Sequence, residues 1–163
     1  MLRIPGAEML DDFDRKILAI LQKDSKAPQR RISEAVNLSP SAVNRRIAAM
    51  EASGVIERHV AIVDPAKVGR LITIIVEVSV ETERHDLLVE VRNRFTACPA
   101  VTQVYYVTGE VDFFLVLVVS DMTEYEALTR DLFFSQGNIK RFRTLVVMDR
   151  AKVTLEVPVG PVA

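Results

Sequence analysis

The stretch Leu38-Ser39-Pro40-Ser41-Ala42-Val43-Asn44-Arg45-Arg46-Ile47-Ala48-Ala49-Met50-Glu51 constrains this chain more than any other. Ser39 suits a helix N-cap, and Pro40 stands at the first helical position, where a missing N–H costs nothing. The helix it opens is expected to run to Ser53 and stop at Gly54, a natural C′ residue. At 100° per residue, Val43, Ile47 and Met50 form one narrow apolar stripe. Ser41, Arg45, Ala48 and Ala52 point the other way, with Asn44 and Arg46 on the flanks. That outward face is small-sided and carries a guanidinium. It fits a DNA major groove as well as it fits plain solvation.

The preceding segment sharpens the choice. Pro28 to Asn37 reads as a short helix with Ile32, Ala35 and Val36 inward, and only Leu38 and Ser39 separate it from the next. Two short helices joined by so tight a turn form a helix-turn-helix. Upstream, Asp11 or Asp12 can cap a first helix whose Phe13, Ile17, Ile20 and Leu21 face inward. Three helices in this arrangement favour DNA binding over an ordinary bundle.

Charge distribution agrees. The chain of 163 residues has a net charge of −1. From Gln22 to Val60, however, seven bases oppose four acids, whereas eleven bases face thirteen acids after Asp64. A mildly basic first part joined to a mildly acidic remainder suits one nucleic-acid-binding unit and one unit with another task. So small a basic excess implies weak binding by one copy, which pairing of copies on two half-sites offsets. Cys98 is the only cysteine, so no intrachain disulfide forms, and with only His59 and His85 beside it no metal site is expected. The longest apolar run, Phe113 to Val119, is too short to span a bilayer. No secretory segment opens the chain, so a cytoplasmic location is expected, with no membrane partner.

After an N-terminal lead-in containing Pro5 and Gly6, the helices occupy roughly 11–53, and Val55 to Val63 reads as a wing or a strand. Asp64-Pro65 and Gly69 break the pattern. The expected division is a helix-turn-helix domain with its linker strand at 1–63, a linker at 64–70, and an αβ unit at 71–163. In the last, Ile72 to Val80 alternates as a strand, and a helix from Asp86 ends at Cys98-Pro99. Val101 to Val107 and Phe113 to Val119 form a hairpin around Thr108–Asp112. A second helix runs from Met122 to Phe134 behind the cap Asp121, Gly137 ends it, and Ile139 to Met148 is the fourth strand. Val153, Leu155 and Val157 alternate with polar residues, so a fifth, edge strand is expected. The order β-α-β-β-α-β gives an α+β fold: a ferredoxin-like sheet with both helices on one face. Phe113 to Val119 is apolar on both sides, which makes the other face a natural surface for self-association.

These residues together resemble the Lrp/AsnC (feast/famine) family of transcription regulators over roughly 10–157. The resemblance rests on five linked pieces. They are Leu10-Asp11-Asp12-Phe13-Asp14-Arg15-Lys16-Ile17-Leu18; Leu38-Ser39-Pro40-Ser41; Arg46-Ile47 with Met50-Glu51 and Gly54-Val55-Ile56; Val107-Thr108-Gly109-Glu110-Val111-Asp112-Phe113; and Thr144-Leu145-Val146-Val147-Met148. It implies double-stranded DNA as partner, a C-terminal sandwich that takes a small effector, usually an amino acid, and homodimers that assemble to octamers. It implies no cofactor. Two departures stand out: Ala48 and Ala49 where members often carry bases, and Gln136-Gly137 where many have Pro before the glycine.

Candidate DNA-contacting residues are Ser39, Ser41, Asn44, Arg45 and Arg46; Arg46 either holds a phosphate or pairs with Glu51 or Glu34. Candidate effector residues are Thr108, Gly109, Glu110, Asp112 and Phe134. Glycine lets backbone N–H groups approach a ligand, and Asp112 opens an otherwise apolar strand. A free amino acid supplies an ammonium for that carboxylate and a carboxylate for those donors. The alternative is a plain turn in which Asp112 bonds its own loop. What the resemblance implies favours the effector site. Catalysis is not expected. Ferredoxin-like folds do host enzymes, and family-like haem-precursor decarboxylases exist. Here, however, no nucleophile–base pair, metal cluster or phosphate-binding glycine loop is present.

Overall fold

The computed structural model describes residues 10–135 and 137–160. The lead-in at 1–9 and the Gln136 departure lie outside them. The chain divides into two compact units: one holds the described residues up to Ile62 together with the chain from Val153 onward, the other is Val63–Lys152.

The first unit holds helices α1 (Asp12–Leu21), α2 (Gln29–Val36) and α3 (Pro40–Ala52). Asp11 caps α1 in a full capping box: its carboxylate accepts from the Asp14 N–H, and Asp14 returns the bond to the Asp11 N–H. Asn37, at φ 55°, ends α2 in the left-handed region, and the Leu38 N–H reaches back to the Ser33 carbonyl at 3.1 Å. That reversal starts α3 at Pro40, with Ser39 capping as expected. Gly54, at φ 79°, follows the last turn. Ile17, Ile32 and Val43 are fully buried, with Leu18, Ala27, Val36 and Met50 beside them. Val55–Val63, read as a wing or strand, forms no strand; Val60 and Ile62 lie exposed.

The second unit opens with a short 3₁₀ turn, Pro65–Val68. It continues as β1 (Ile72–Val80), α4 (His85–Ala97), β2 (Val101–Tyr106), β3 (Phe113–Val119), α5 (Met122–Thr129) and β4 (Ile139–Val146). The antiparallel sheet has the order β2-β3-β1-β4, the arrangement expected of the β-α-β-β-α-β sequence. Val76 stands opposite Leu115 on one side and Thr144 on the other. One face, with Ile74, Val76, Val78, Leu115 and Leu117, is sealed by Val91 and Phe95 of α4 and by Tyr125, Leu132 and Phe133. The Phe95 ring meets Phe113 edge-on at 5.6 Å. The other face bears Ile75, Phe114, Val116, Val118 and Leu145, partly exposed. The helix expected through Phe134 changes pitch: Arg130–Phe134 is a π-helical turn. It turns Phe133 onto the Phe142 ring at 4.4 Å and leaves Phe134 71% exposed.

The expected fifth strand is absent. Residues 153–160 form no strand, and they group with the helical unit rather than the sheet. The reason is polar. The Gln22 side chain donates to the Val157 carbonyl at 3.1 Å and accepts from its N–H at 2.7 Å. The Val157 peptide thus finds its partners on α1.

The start of α5 carries the most strongly shifted carboxyl. The Glu124 carboxylate accepts from the Ser120 N–H at 2.9 Å and the Ser120 hydroxyl at 2.7 Å, and it pairs with Arg70. The Ser120 backbone bond, then its hydroxyl, then Arg70 hold the group down to about 2. A carboxyl depressed on folding stabilises above its unfolded value of 4.5 and loses that contribution as pH falls toward 2. Glu124→Gln is therefore expected to remove about 1–2 kcal/mol at neutral pH and much less at pH 2, flattening the acid limb of stability. Urea unfolding of both proteins across that range checks it; parallel acid limbs would contradict the assignment.

Candidate functional site

Helix α3 presents its outward residues in the order the sequence predicts. Ser41, Asn44, Arg45, Ala48 and Ala49 are exposed, while Val43 and Met50 are buried against the other two helices. Ser39 is committed to capping: its hydroxyl accepts from the Ala42 N–H at 3.2 Å and lies 3.0 Å from the Ser41 hydroxyl. The Asn44 side-chain oxygen accepts from Gln29, joining the first residue of α2 to α3 and leaving the Asn44 amide N–H groups outward. Arg45 is exposed and has no ion-pair partner among the described residues. Its neighbours Arg30 and Arg31 are paired, with Glu34 at 2.9 Å and Asp24 at 3.6 Å.

Arg46 departs from expectation. Its guanidinium lies 2.8 Å from both Asp11 and Asp14 and 5.4 Å from the centre of the Phe13 ring. Its side chain is 28% exposed. It pairs with neither Glu51 nor Glu34 and is occupied inside the unit. The bond to Asp14, reinforced by Asp11, raises the Arg46 pKa. Asp11 is lowered first by the Asp14 backbone N–H and then by Arg46, against the opposing effect of burial. The bridging partners are the Asp11 cap and Asp14 in the first turn of α1, where a helix dipole favours acidic residues in any case. Their second role depends on where α3 crosses α1, which no local pattern reveals. Glu51, the expected partner, instead meets His59 at 2.9 Å.

In the sheet unit the hairpin Val107–Asp112 closes with Gly109 at φ 135°, a conformation costly for any other residue. Thr108, Gly109 and Glu110 are exposed. The Asp112 carbonyl closes the loop by accepting from the Val107 N–H at 2.8 Å, but its carboxylate is directed out of the loop. The Asp112 N–H donates to the Val78 carbonyl at 2.9 Å, and its carboxylate accepts from the Val80 N–H at 2.7 Å. Pairing of β1 with β3 stops at Val78 opposite Phe113, so the carboxylate supplies the acceptor that a longer β3 would have given Val80.

On the open face beside this turn lies a cleft of about 210 Å³, lined by Glu77, Ser79, Glu110, Val111, Arg141, Phe142 and Arg143. Arg143 and Glu77 form a two-pronged pair, which raises Arg143 and lowers Glu77. Arg141 donates through Nε to the buried Ser79 hydroxyl at 3.3 Å and has no carboxylate partner among the described residues. At the same end of the sheet Asn138, at φ 91°, accepts from the Thr82 N–H at 2.9 Å and is buried. Its side-chain Nδ2 has no partner among the described residues. Of the expected effector residues only Glu110 lines the cleft; Phe134 packs edge-on against Phe142 at 5.6 Å. Ser79 and Arg141 were missed. Their signal was the period-two alternation of Glu77-Ser79 and Arg141-Arg143 on facing strands.

Among the described residues no group of His, Cys, Asp and Glu is arranged to hold a metal, and no helix is long and apolar enough to cross a membrane. A helix-turn-helix with an uncommitted outward arginine, joined to an αβ sandwich with a polar cleft, defines a DNA-binding regulator with a ligand-binding domain. The comparisons agree. Residues 10–57 match a winged helix-turn-helix DNA-binding domain and residues 73–157 match the Lrp/AsnC ligand-binding domain. The chain is 42% identical to an HTH-type transcriptional regulator of Sinorhizobium fredii over 92% of its own length and 89% of the relative's. The crystal structure of an AsnC family transcriptional regulator from Agrobacterium tumefaciens matches with a TM-score of 0.86 at 34% identity, covering 91% of this chain and 97% of that one. A Neisseria meningitidis transcriptional regulator in complex with L-Met matches with a TM-score of 0.85 at 27% identity, covering 91% and 96%. The chain belongs to the Lrp/AsnC family of transcriptional regulators and is not an enzyme.

Proposed function

We propose that the chain is an amino-acid-responsive regulator that reads DNA through Arg45, Ser41 and Asn44, and that it acts as a homodimer able to assemble to octamers. The single observation behind the DNA reading is the contrast between adjacent arginines. Arg46 is tied into the fold, whereas Arg45 stands exposed and uncompensated on the helix that follows the turn. A free guanidinium matches the acceptor pair of guanine in the major groove. Ser39 serves the helix and at most a phosphate. Arg45→Ala is expected to cost about 1–3 kcal/mol on operator DNA and much less on random duplex. Arg46→Ala is expected instead to lower the unfolding midpoint of the protein. Equal losses on both duplexes for Arg45→Ala, measured by fluorescence polarisation in one salt, would refute the base-reading role.

Self-association follows from the open sheet face, where Ile75, Phe114, Val116 and Leu145 meet solvent in a single copy. Multi-angle light scattering at micromolar concentration is expected to give a dimer or larger; a monomer there overturns it.

The effector reading is supported by the cleft beside Gly109–Asp112 and by the L-Met carried by the Neisseria relative. Arg141 offers an unpaired fork for a carboxylate, and Glu110 an acceptor for an ammonium. Asp112 serves the fold and the ligand only indirectly. Isothermal titration over the amino acids is expected to find a binder that Arg141→Gln weakens about tenfold or more. An unchanged affinity places the site elsewhere, and a silent panel rejects the amino-acid effector.

A further inference from the structure

The chain leaves the sheet after β4 and returns to the helical unit, where residues 156–160 lie along α1. Two polar side chains, Arg15 in α1 and Gln22 at its C-cap, hold this return segment by its backbone. Gln22 takes both the N–H and the carbonyl of Val157, at 2.7 and 3.1 Å. Arg15 donates to the carbonyls of Val159 and Gly160, each at 3.3 Å. The spacing explains the fit. Residues seven apart on a helix share one face and lie about 10.5 Å apart along its axis. An extended peptide covers about 10 Å in the three steps from Val157 to Gly160. The segment therefore runs antiparallel to α1, with one anchor near each end of the helix. Between the anchors Val159 packs against the apolar cluster that contains Ile17 and Leu18.

We propose that this return segment is a clasp that the DNA-competent state of the helical unit requires. Among the described residues seven buried side chains make up the apolar core of that unit, which is little for a domain of its length. Val159 adds an apolar contact that residues 10–62 do not contain. The anchor Arg15 follows Asp14, which holds Arg46 and through it α3. Ordering the N-terminal half of α1 thus bears on the recognition helix. The clasp also makes the chain pass between the two units twice, at 62–63 and at 152–153. None of its anchors lies on the outward face of α3, so the clasp supports DNA binding and does not occlude it.

The test uses the full chain with Gln22→Ala, Val159→Asp and the milder Gln22→Glu, which keeps the acceptor for the Val157 N–H and loses the donor. Met148→Ser, at a position 95% exposed, is the control. Amide hydrogen exchange followed by NMR is expected to show the Val157 N–H protected in the wild type. In Gln22→Ala and Val159→Asp, exchange in α1 is expected to rise about tenfold while β1 and β3 stay unchanged. Affinity for a labelled duplex from upstream of the protein's own gene is expected to fall about threefold or more, as the competent fraction falls. Gln22→Glu lies between, and Met148→Ser matches wild type. Free exchange of the Val157 N–H in the wild type overturns the clasp. Faster α1 exchange with unchanged DNA affinity overturns its link to DNA binding.

Discussion

The guanidinium of Arg46, held between Asp11 and Asp14, is the interaction on which the DNA-binding unit turns. Helices of eight to thirteen residues cannot each bury a wide stripe, and α3 contributes only two buried side chains, Val43 and Met50. These side chains and the partly buried Ile47 fix how closely α3 approaches its neighbours, while its roll about its axis is set more sharply by polar bonds, among them Gln29 to Asn44. A charged side chain directed at a fixed carboxylate pair constrains that roll, since such bonds weaken steeply with misalignment. The carboxylates are themselves fixed, because Asp11 and Asp14 hold each other through the capping box. The cap of one helix thus sets the rotation of another, and with it the direction in which Ser41 and Arg45 face.

In the sheet unit the comparable device is the Asp112 carboxylate. A strand that ends early leaves its neighbour with unpaired N–H groups, and a buried one costs about 1–3 kcal/mol. Asp112 closes that gap at Val80 and in the same step ends the β2–β3 hairpin. The turn beyond it is released from the ladder. Gly109 then takes a conformation other residues avoid, and Glu110 comes to the rim of the cleft. Asp112→Ala therefore disturbs the frame and any ligand together. Arg141, anchored by a single bond to Ser79, is the more selective probe.

Most of the architecture was legible because it rests on local chemistry. Ser39-Pro40, Asp121 and Cys98-Pro99 mark helix ends through their own backbone preferences, and the alternation of Ile72–Val80 marks the strand. What was not legible depends on partners distant in sequence. Val153–Val157 has the alternation of an edge strand, yet a period says only that a segment can be extended. Whether its peptide groups pair with β4 or with Gln22, 135 residues away from Val157, is decided by the whole chain. The same holds at the sites. Residue type places Arg45 on the outward face of an amphipathic helix and Arg46 on its flank. It leaves open which is claimed by the fold, because that depends on α1. Glu110, named from the turn, reaches the cleft, whereas Arg141 and Ser79 meet there only because β1 pairs with β4.

These tertiary assignments alter what an effector has to do. A ligand shifts an equilibrium only by its difference in affinity for two states. The cleft belongs to the sheet unit, whereas α3 and the node that orients it belong to the helical unit. In the proposed mechanism the response to an amino acid therefore passes through assembly or through the chain that joins the units. Assembly is the stronger channel. The cleft opens on the sheet face proposed for self-association, so under that proposal a ligand there changes the charge and packing of the surface on which copies meet. Two half-sites multiply a weak contact by effective concentration, so a modest change in assembly becomes a large change in occupancy on DNA. The basic excess of only three from Gln22 to Val60 is suited to that control, because so small an excess favours weak binding by a single copy.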